Sequence, residues 1–498
     1  MEQAAKAAND RGGGGMTGST DPADLTAVEL LRGYRSGALS PVEATRAALA
    51  RAARAQELTN AFVTLDDAVR DEALAGAEAS ARRWQRGEPA GLLDGVPVTV
   101  KDMILQRGAP TLRGSRLVNP GLEWDEDGPS VARLREHGAV FLGKTTTPEF
   151  GWKGTTDSPL NGVTTNPYDT GRTTGGSSGG SGAAVALGAG PLSLGTDGGG
   201  SVRIPAAFCG IVALKATYGR VPLYPASPFG TLAHVGPMAR DVRDTALLMD
   251  VVSGADPRDW SQLGPPAGGF VDALDGAADG VRGLRVAYSA SFGGQVPVDR
   301  QVAAVVRAAV ERLSDLGAYV EEADPRLCEG LAACQEAFHT LWFSGAARVV
   351  QPYGPQARER MDPGLREIVE LGERYSALDY LAAVDVRMAL GQSMGRFHQT
   401  YDVLVTPTVP ITAFEAGAEV PKDSGYTRWT GWTPFTYPFN LTQQPALSLP
   451  CGVDGAGLPV GLQLVAARHR DALVLRTAQA LYESGIADGI RPPESAVG

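Results

Sequence analysis

Cysteine is scarce in this sequence, with four residues among 498 and no C-x-x-C pair. In a chain of this length, four scattered cysteines favour reduced thiols and a cytoplasmic location over a disulfide framework. The sequence also lacks an H-E-x-x-H motif and any cysteine–histidine cluster at metal-ligand spacing. We therefore expect an activity that uses no metal and no other cofactor.

Positive charge and long apolar runs are scarce as well. The 45 lysines and arginines are outnumbered by 56 aspartates and glutamates, which gives a net charge of −11. This balance argues against a nucleic-acid partner and against binding to an anionic membrane surface. The most continuous small-and-apolar run, residues 183–194, is interrupted by glycines and by Pro191, so the sequence predicts no membrane span.

The first 20 residues show no apolar period. They are rich in Ala, Gly and Asn, and we expect a disordered leader over residues 1–20, in which Met16 is an alternative natural start. From residue 21 onwards, segments with helical spacing alternate with short β-prone segments, and no solenoid repeat is present. This alternation favours one large α/β domain over residues 21–490.

Glycine, in contrast, is abundant, with 63 residues. Residues 172–217 contain two serine-bearing glycine clusters, GGSSGG at 175–180 and GGGS at 198–201. Glycine lets backbone N–H groups approach a ligand closely, and Ser201 directly follows three glycines, so its hydroxyl can be exposed at a turn. The candidate donors to an oxyanion at this turn are the backbone N–H groups of Gly198, Gly199, Gly200 and Ser201.

This glycine-rich run resembles the signature of the amidase-signature hydrolases, and landmarks similar to that family recur over most of residues 25–483. The resemblance implies a single α/β/α domain with a central mixed β-sheet covered by helices. It also implies a Ser–cis-Ser–Lys triad in which Ser201 is the nucleophile, Ser177 is the bridging serine after a cis peptide bond, and Lys101 is the base. By the same resemblance, Gly151 and Ser177 border the bound substrate.

Lys101 ends a β-prone run, residues 95–102, and an exposed lysine at a strand end is the simplest interpretation of that position. The residues that follow favour the catalytic interpretation, because they match the pattern after the family's lysine at Gly108, Thr111, Gly114 and Ser115. A lysine acts as a base only when neutral, and its usual pKa is about 10.4. We therefore expect Lys101 to lie in a dry pocket.

The neighbours of Ser201 give further expectations. Asp197 and Arg203 flank it, and we prefer a structural ion pair that stabilises the turn over a catalytic role. Gly198 stands where the family usually has Thr, Ser or Ile, which would loosen the turn or open room beside it. Ala216 replaces a usual proline, which is a minor structural change.

Two other motifs suggest alternatives that we reject. Residues 138–145 match the G-x-x-x-x-G-K-[ST] phosphate-binding loop, but the sequence predicts a helix before the first glycine and a strand inside the motif, where that loop needs a strand before it and a helix after it. Residues 175–180 match the G-x-S-x-G nucleophile elbow, but no strand-like segment precedes them and no histidine has a recognisable triad context.

Three activities are consistent with the resemblance. The first choice is an amidase that hydrolyses carboxamide, anilide or carbamate C–N bonds through an acyl-enzyme. The second is the glutaminase (A) subunit of a tRNA-dependent amidotransferase, which usually carries Gln where this chain has Ile204. The third is an esterase or carbamate (urethane) hydrolase.

The expected partner is a small-molecule amide or carbamate. The sequence leaves open whether the chain forms a homodimer. Residues 409–438 are rich in aromatic side chains, of which we expect at least half to lie in the core. Their clustering in a loop suggests that the others form a pocket rim suited to apolar or aryl groups.

Overall fold

The computed structural model describes residues 21–327 and 329–497, so the predicted leader at residues 1–20 lies outside the described residues. The described strands, in chain order, are β1 (Pro97–Lys101), β2 (Val140–Thr145), β3 (Asp157–Ser158), β4 (Gly162–Val163), β5 (Leu192–Asp197), β6 (Val212–Lys215), β7 (His234–Ala239), β8 (Arg285–Tyr288), β9 (Tyr319–Glu322), β10 (Val403–Pro407), β11 (Ala446–Val453) and β12 (Pro459–Ala466). Ten of them form one sheet in the order β2-β1-β5-β7-β6-β11-β12-β10-β8-β9, and β3 pairs with β4 separately.

This sheet is mixed, with parallel pairing towards its two edges and antiparallel pairing in the middle. Strands β2, β1 and β5 run parallel to one another, as do β10, β8 and β9. The pairs that connect these two groups, through β7, β6, β11 and β12, are antiparallel. The predicted single domain with a central mixed sheet is confirmed, as is the parallel pairing of β8 with β9 across a helix.

Helices cover the sheet. In chain order the described α-helices are α1 (Ala27–Ser36), α2 (Pro41–Thr59), α3 (Asp67–Gln85), α4 (Pro129–Glu136), α5 (Gly179–Ala186), α6 (Arg203–Cys209), α7 (Val242–Val252), α8 (Ala277–Gly280), α9 (Arg300–Asp315), α10 (Leu331–Val350), α11 (Pro363–Gly372), α12 (Ala377–Thr400), α13 (Pro438–Leu441), α14 (Asp471–Glu483) and α15 (Glu494–Val497). The predicted start of α2 is confirmed, because the Ser40 hydroxyl accepts from the Glu43 N–H and the Glu43 carboxylate accepts from the Ser40 N–H.

Three elements differ from the sequence prediction. Strand β7 lies in a segment predicted to be a loop, since its Gly and Pro are unfavourable in strands; all six of its residues are buried between β5 and β6. Its Pro237 is tolerated because the β6 ladder reaches only Met238 and Ala239. The strand predicted from Asn60 is a single bridge at Phe62. The long helix predicted for 364–398 is two helices, because Ser376 begins the second with its own capping box.

Five of the six aromatic residues of segment 409–438 lie in the core, which confirms the expectation for at least half of them, and the sixth, Tyr426, is half-buried and lines a second cavity. Five of them are buried in one cluster, namely Phe414, Trp429, Trp432, Phe435 and Tyr437. They pack against helix α10, where Phe338 contacts both Tyr437 and Trp429. The wall that α10 supports is therefore apolar and rigid, and it stands directly beside the glycine turn that ends at Ser201, since Phe338 approaches Gly199.

Candidate active site

The two glycine clusters meet at one end of the sheet. Ser177 and Ser178 immediately precede α5, and Ser201 lies between the end of β5 and the start of α6. Strands β1 and β5 are parallel neighbours, so their carboxyl ends reach the same edge of the sheet. Lys101 is the last residue of β1, which brings it to the first glycine cluster although 76 residues separate it from Ser177 in sequence. Ligand sites form at such carboxyl ends in open α/β sheets.

Lys101 is completely buried, with 0% of its surface exposed, as the dry-pocket expectation requires. Its Nζ lies 2.6 Å from Ser177 Oγ, 2.9 Å from Ser178 Oγ and 2.9 Å from Thr196 Oγ1. Burial lowers the pKa of Lys101 well below its ordinary value of 10.5, and the charge of Asp197 only partly opposes this shift. A neutral Lys101 amine is thus favoured next to Ser177. Thr196 and Ser178 were not identified from the sequence as partners of this lysine.

The first glycine cluster has no room for side chains. The peptide bond between Gly176 and Ser177 is cis. A Cβ at Gly176 would collide with the backbone of Thr155, and Gly175 has a φ of +70° with Ile204 packed against it. Glycine is therefore required at both positions by close packing, and the backbone presents Ser177 to Lys101.

The second cluster is a tight turn between β5 and α6. Gly200 has a φ of +131°, and its N–H donates to Asp197 Oδ1 at 2.8 Å. Because that N–H is already engaged, the hydrogen bonding does not support the prediction that Gly200 donates to an oxyanion. A side chain at Gly198 would meet the indole ring of Trp342. The departure from the family pattern at Gly198 is thus explained by Trp342, which fills the space beside the turn.

The predicted ion pair of Asp197 with Arg203 is present and fully buried. The Arg203 guanidinium donates to both carboxylate oxygens of Asp197, each at 3.0 Å. It also donates to Asn440 Oδ1 and Gln463 Oε1, each at 2.7 Å. Burial alone would raise the pKa of Asp197, but Arg203 and the hydrogen bond that Asn440 Nδ2 donates to Asp197 Oδ1 at 2.9 Å hold it well below its usual range. Local sequence patterns gave no signal for Asn440 or Gln463, because both come from elements more than 230 residues away.

Ser177 and Ser201 line the same cavity, which has a volume of about 110 Å³. Gly151 also lines the cavity. Its Cα lies next to Ser177, because a Cβ added to Gly151 would be 3.3 Å from Ser177 Oγ. The cavity wall is mainly apolar, and its aromatic members are Phe150, Tyr224, Phe229 and Trp342. Sequence reasoning missed these four aromatics, which are scattered over two separate loops and helix α10.

Neither rejected motif has the geometry that it would need. Residues 138–145 follow α4 and contain β2, so no strand leads into the glycine of a phosphate-binding loop. Residues 172–178, before α5, form bends and isolated bridges instead of the strand that a nucleophile elbow requires. Both rejections made from the sequence are confirmed.

Metal-binding clusters and membrane-spanning helices are both absent from the described residues. Within 21–327 and 329–497, no group of three or more His, Cys, Asp and Glu side chains is arranged to hold a metal ion. In the same part of the chain, every helix is too short or too polar to cross a membrane.

Known proteins resemble this chain over nearly its whole length. The amidase family model matches residues 43–475. An acylamidase from Rhodococcus erythropolis is 38% identical, covering 91% of this chain and 94% of the relative. A glutamyl-tRNA(Gln) amidotransferase subunit from Chloroflexus aggregans is 36% identical, covering 89% and 93%. The crystal structure of a bacterial aryl acylamidase of the amidase-signature family superposes with a TM-score of 0.86 at 27% identity, covering 95% and 98%. This chain belongs to the amidase family of amide-hydrolysing enzymes.

Proposed function

We propose that this chain is an amidase that cleaves carboxamide, anilide or carbamate C–N bonds through an acyl-enzyme formed by a Ser–cis-Ser–Lys triad. The observation that carries the proposal is the 2.6 Å contact of the buried Lys101 Nζ with Ser177 Oγ, in a cavity that Ser201 also lines. A buried neutral lysine next to a serine is an arrangement suited to proton abstraction.

In the proposed mechanism, Ser201 Oγ attacks the substrate carbonyl carbon. Its proton passes to Ser177, and Ser177 passes its own proton to the neutral Lys101. The oxyanion is stabilised by backbone N–H groups at Gly198, Gly199 and Ser201, and each such donor contributes roughly 2.7–4 kcal/mol. As the C–N bond breaks, Lys101 returns its proton through Ser177 to the leaving nitrogen. Water then hydrolyses the Ser201 ester by the same relay in reverse, which releases the acid.

The substrate side groups that suit the cavity are apolar or aromatic. Phe229 stacks on Trp342 with ring centroids 4.0 Å apart, and this pair stands beside Gly198 at the predicted oxyanion turn. A flat apolar wall favours acyl or aryl groups by burial of nonpolar surface. The similarity to an acylamidase and to an aryl acylamidase supports the same substrate class.

A glutaminase subunit is the second candidate, because the chain is also similar to glutamyl-tRNA(Gln) amidotransferase subunits. One feature disfavours it: Ile204 is apolar and fully buried at the position where a glutaminase usually carries Gln. Hydrolysis of esters and urethanes remains within reach of the same chemistry, since an acyl-enzyme forms from either.

Ser201→Ala is the direct test. We expect kcat for an aryl anilide to fall by at least about 10⁴-fold with an unchanged thermal unfolding midpoint, because only the nucleophile is lost. Ser130→Ala is the matched control, since Ser130 lines the same cavity outside the proposed relay. The assays compare anilides, carbamates, esters and glutamine with the isolated chain, and mass spectrometry of quenched wild type should find an acyl group on Ser201. Hydrolysis that survives in Ser201→Ala, or ammonia release from glutamine alone, contradicts the proposal.

A further inference from the structure

We propose that Arg113 is a specificity-determining residue that makes the enzyme prefer substrates bearing a carboxylate. The inference rests on the proposed amidase function and names a substrate class for the same cavity. Arg113 lines that cavity and is half-buried, whereas most of the other lining residues are apolar or carry only hydroxyls. A cation at the edge of an apolar cavity attracts an anionic ligand group strongly, because water screens their attraction less there.

The charge of the Arg113 guanidinium acts on Lys144 and Tyr353, but the protein does not neutralise it. Across residues 21–327 and 329–497, no hydrogen bond or ion pair of this side chain is found. Other arginines at the site differ: Arg203 is held by Asp197 on both of its oxygens. A guanidinium has five N–H donors in a planar fork that fits a carboxylate in a bidentate manner. Arg113 therefore offers the cavity a complete set of donors.

The carboxylates nearest in the chain have other partners. Asp102 accepts from the N–H groups of Leu112 and Gly114, on either side of Arg113. Glu149 accepts from the Ser115 hydroxyl at 2.6 Å and from the Asp362 N–H at 2.6 Å. Both acids shape the loops around Arg113 without neutralising it, so the positive charge remains available to a ligand.

The backbone is arranged to hold Arg113 at the cavity. Arg113 has a φ of +57° and Phe150 a φ of +51°, both in the left-handed region that non-glycine residues rarely adopt. The two residues are joined by a hydrogen bond from the Phe150 N–H to the Arg113 carbonyl at 2.8 Å, and both line the cavity. Such strained residues persist where surrounding structure and function require them. Phe150 precedes Gly151, so this wall adjoins Ser177.

The cavity lining thus combines two chemically different groups. Phe229 and Trp342 form an aromatic wall beside Gly198, and Arg113 adds a cation on the wall that continues to Gly151. A ligand that contacts both combines an apolar or aryl group with a carboxylate. Among the charged lining residues, Asp197 is paired with Arg203, whereas Arg113 has no ion pair in the described part of the chain and is the uncompensated charge.

The test is the ratio of kcat/KM for charged and neutral anilides of matched shape. One pair, glutaranilic acid and valeranilide, carries the carboxylate on the acyl side; the other, 4-acetamidobenzoate and acetanilide, carries it on the amine side. We expect Arg113→Asn to lower the charged-to-neutral ratio about 10- to 100-fold for at least one pair. Asn tolerates the left-handed backbone, so the variant removes the charge without adding strain. The pair that responds tells which end of the substrate faces Arg113.

Two further variants sharpen this result. Arg113→Lys keeps the charge and should restore part of the ratio, whereas Arg116→Asn removes a nearby exposed charge outside the cavity and should leave the ratio unchanged. Equal ratios in wild type and Arg113→Asn for both pairs overturn the inference. Calorimetric titration with phenylacetate and with 2-phenylethanol, a neutral analogue that has no hydrolysable bond, provides a readout without turnover. If the wild-type protein hydrolyses none of the anilides but binds phenylacetate only when Arg113 is present, the carboxylate site is supported and the proposed function is wrong. If phenylacetate binds equally well without Arg113, the carboxylate site is wrong.

Discussion

Two buried lysines end up near each other on neighbouring parallel strands, Lys101 on β1 and Lys144 on β2, and their surroundings differ. Lys101 Nζ contacts three hydroxyl groups, as described above. Lys144 Nζ donates to the Ile104 carbonyl at 2.6 Å and to Thr111 Oγ1 at 2.7 Å, and it lies 3.9 Å from Asp102 Oδ1. Both lysines are essentially unexposed, at 0% and 2%. Burial is therefore common to the two positions, and the partners distinguish them.

The difference shows what a buried lysine needs in order to act as a base. A hydroxyl both donates and accepts, so the three partners of Lys101 can satisfy an amine as well as an ammonium. The Ile104 carbonyl and the Asp102 carboxylate beside Lys144 only accept, and the Thr111 hydroxyl donates its proton to the Ile104 carbonyl at 3.3 Å, so all three favour the ammonium form of Lys144. Burial lowers the pKa of Lys144 to about 8, with the charge of Asp102 opposing the shift. Lys144 thus remains largely protonated at neutral pH and ties the loop that carries Ile104 and Thr111 to the sheet.

Lys101→Met is the substitution for which we expect the largest difference in activity between the two lysine positions. We expect kcat for an anilide to fall about 10³- to 10⁴-fold, because the base is lost while the side chain keeps a similar length. Steady-state kinetics measure this loss. Lys144→Met is the matched control and should retain kcat within about tenfold once the folded fraction is taken into account. If the two variants lose kcat equally, the partners of a buried lysine do not tell which of the two acts as the base.

Lys144→Met should show the larger effect on stability. Its removal leaves the Ile104 carbonyl with only the 3.3 Å hydrogen bond from Thr111 Oγ1 and takes the nearby lysine cation from Asp102, at a cost of about 3 kcal/mol in the free energy of unfolding. Lys101→Met should cost about 1 kcal/mol, since Ser178 Oγ also donates to the Thr196 carbonyl at 3.2 Å and accepts from its N–H at 3.3 Å. Urea unfolding of both variants measures the difference. A greater loss in Lys101→Met would reverse the assigned roles.

The residues of the proposed triad could be predicted from the sequence, whereas the residues that hold them in place could not. Lys101, Ser177 and Ser201 were predicted from local glycine-rich patterns and the family resemblance, and the structure brings the first two into contact and all three to one site. Their supporting partners come from distant elements and left no local signal. Strand β7 was missed because burial between two strands overrides its unfavourable Gly and Pro. At least half of the aromatics of 409–438 were expected in the core, and five are buried there, but their contacts with α10 do not follow from periodicity.

Nothing in the sequence separated Lys101 from Lys144 by environment. Both follow apolar β-prone residues, and Lys144 attracted attention only through a phosphate-loop pattern that its strand excludes. The distinction depends on which side chains meet at the ends of β1 and β2. Thr196 reaches Lys101 from β5, and Thr111 reaches Lys144 from a loop, and neither contact follows from spacing along the chain. Tertiary contacts of this kind must be seen in the fold.

Thr196→Val tests the contribution of the three hydroxyl groups around Lys101, and its expected effect on activity is the smallest. It removes one of the three hydroxyls at Lys101 and keeps the shape of the side chain, so kcat should fall only about 3- to 10-fold. Because Lys101 works as a base only when neutral, kcat/KM is lost as the pH falls through its pKa. The Thr196 hydroxyl accepts from Nζ and favours the ammonium over the amine, so its removal lowers the pKa further and moves the acid limb of the profile to lower pH. A shift of that limb to higher pH, measured over the same buffers as wild type, would mean that Thr196 stabilises the neutral amine instead.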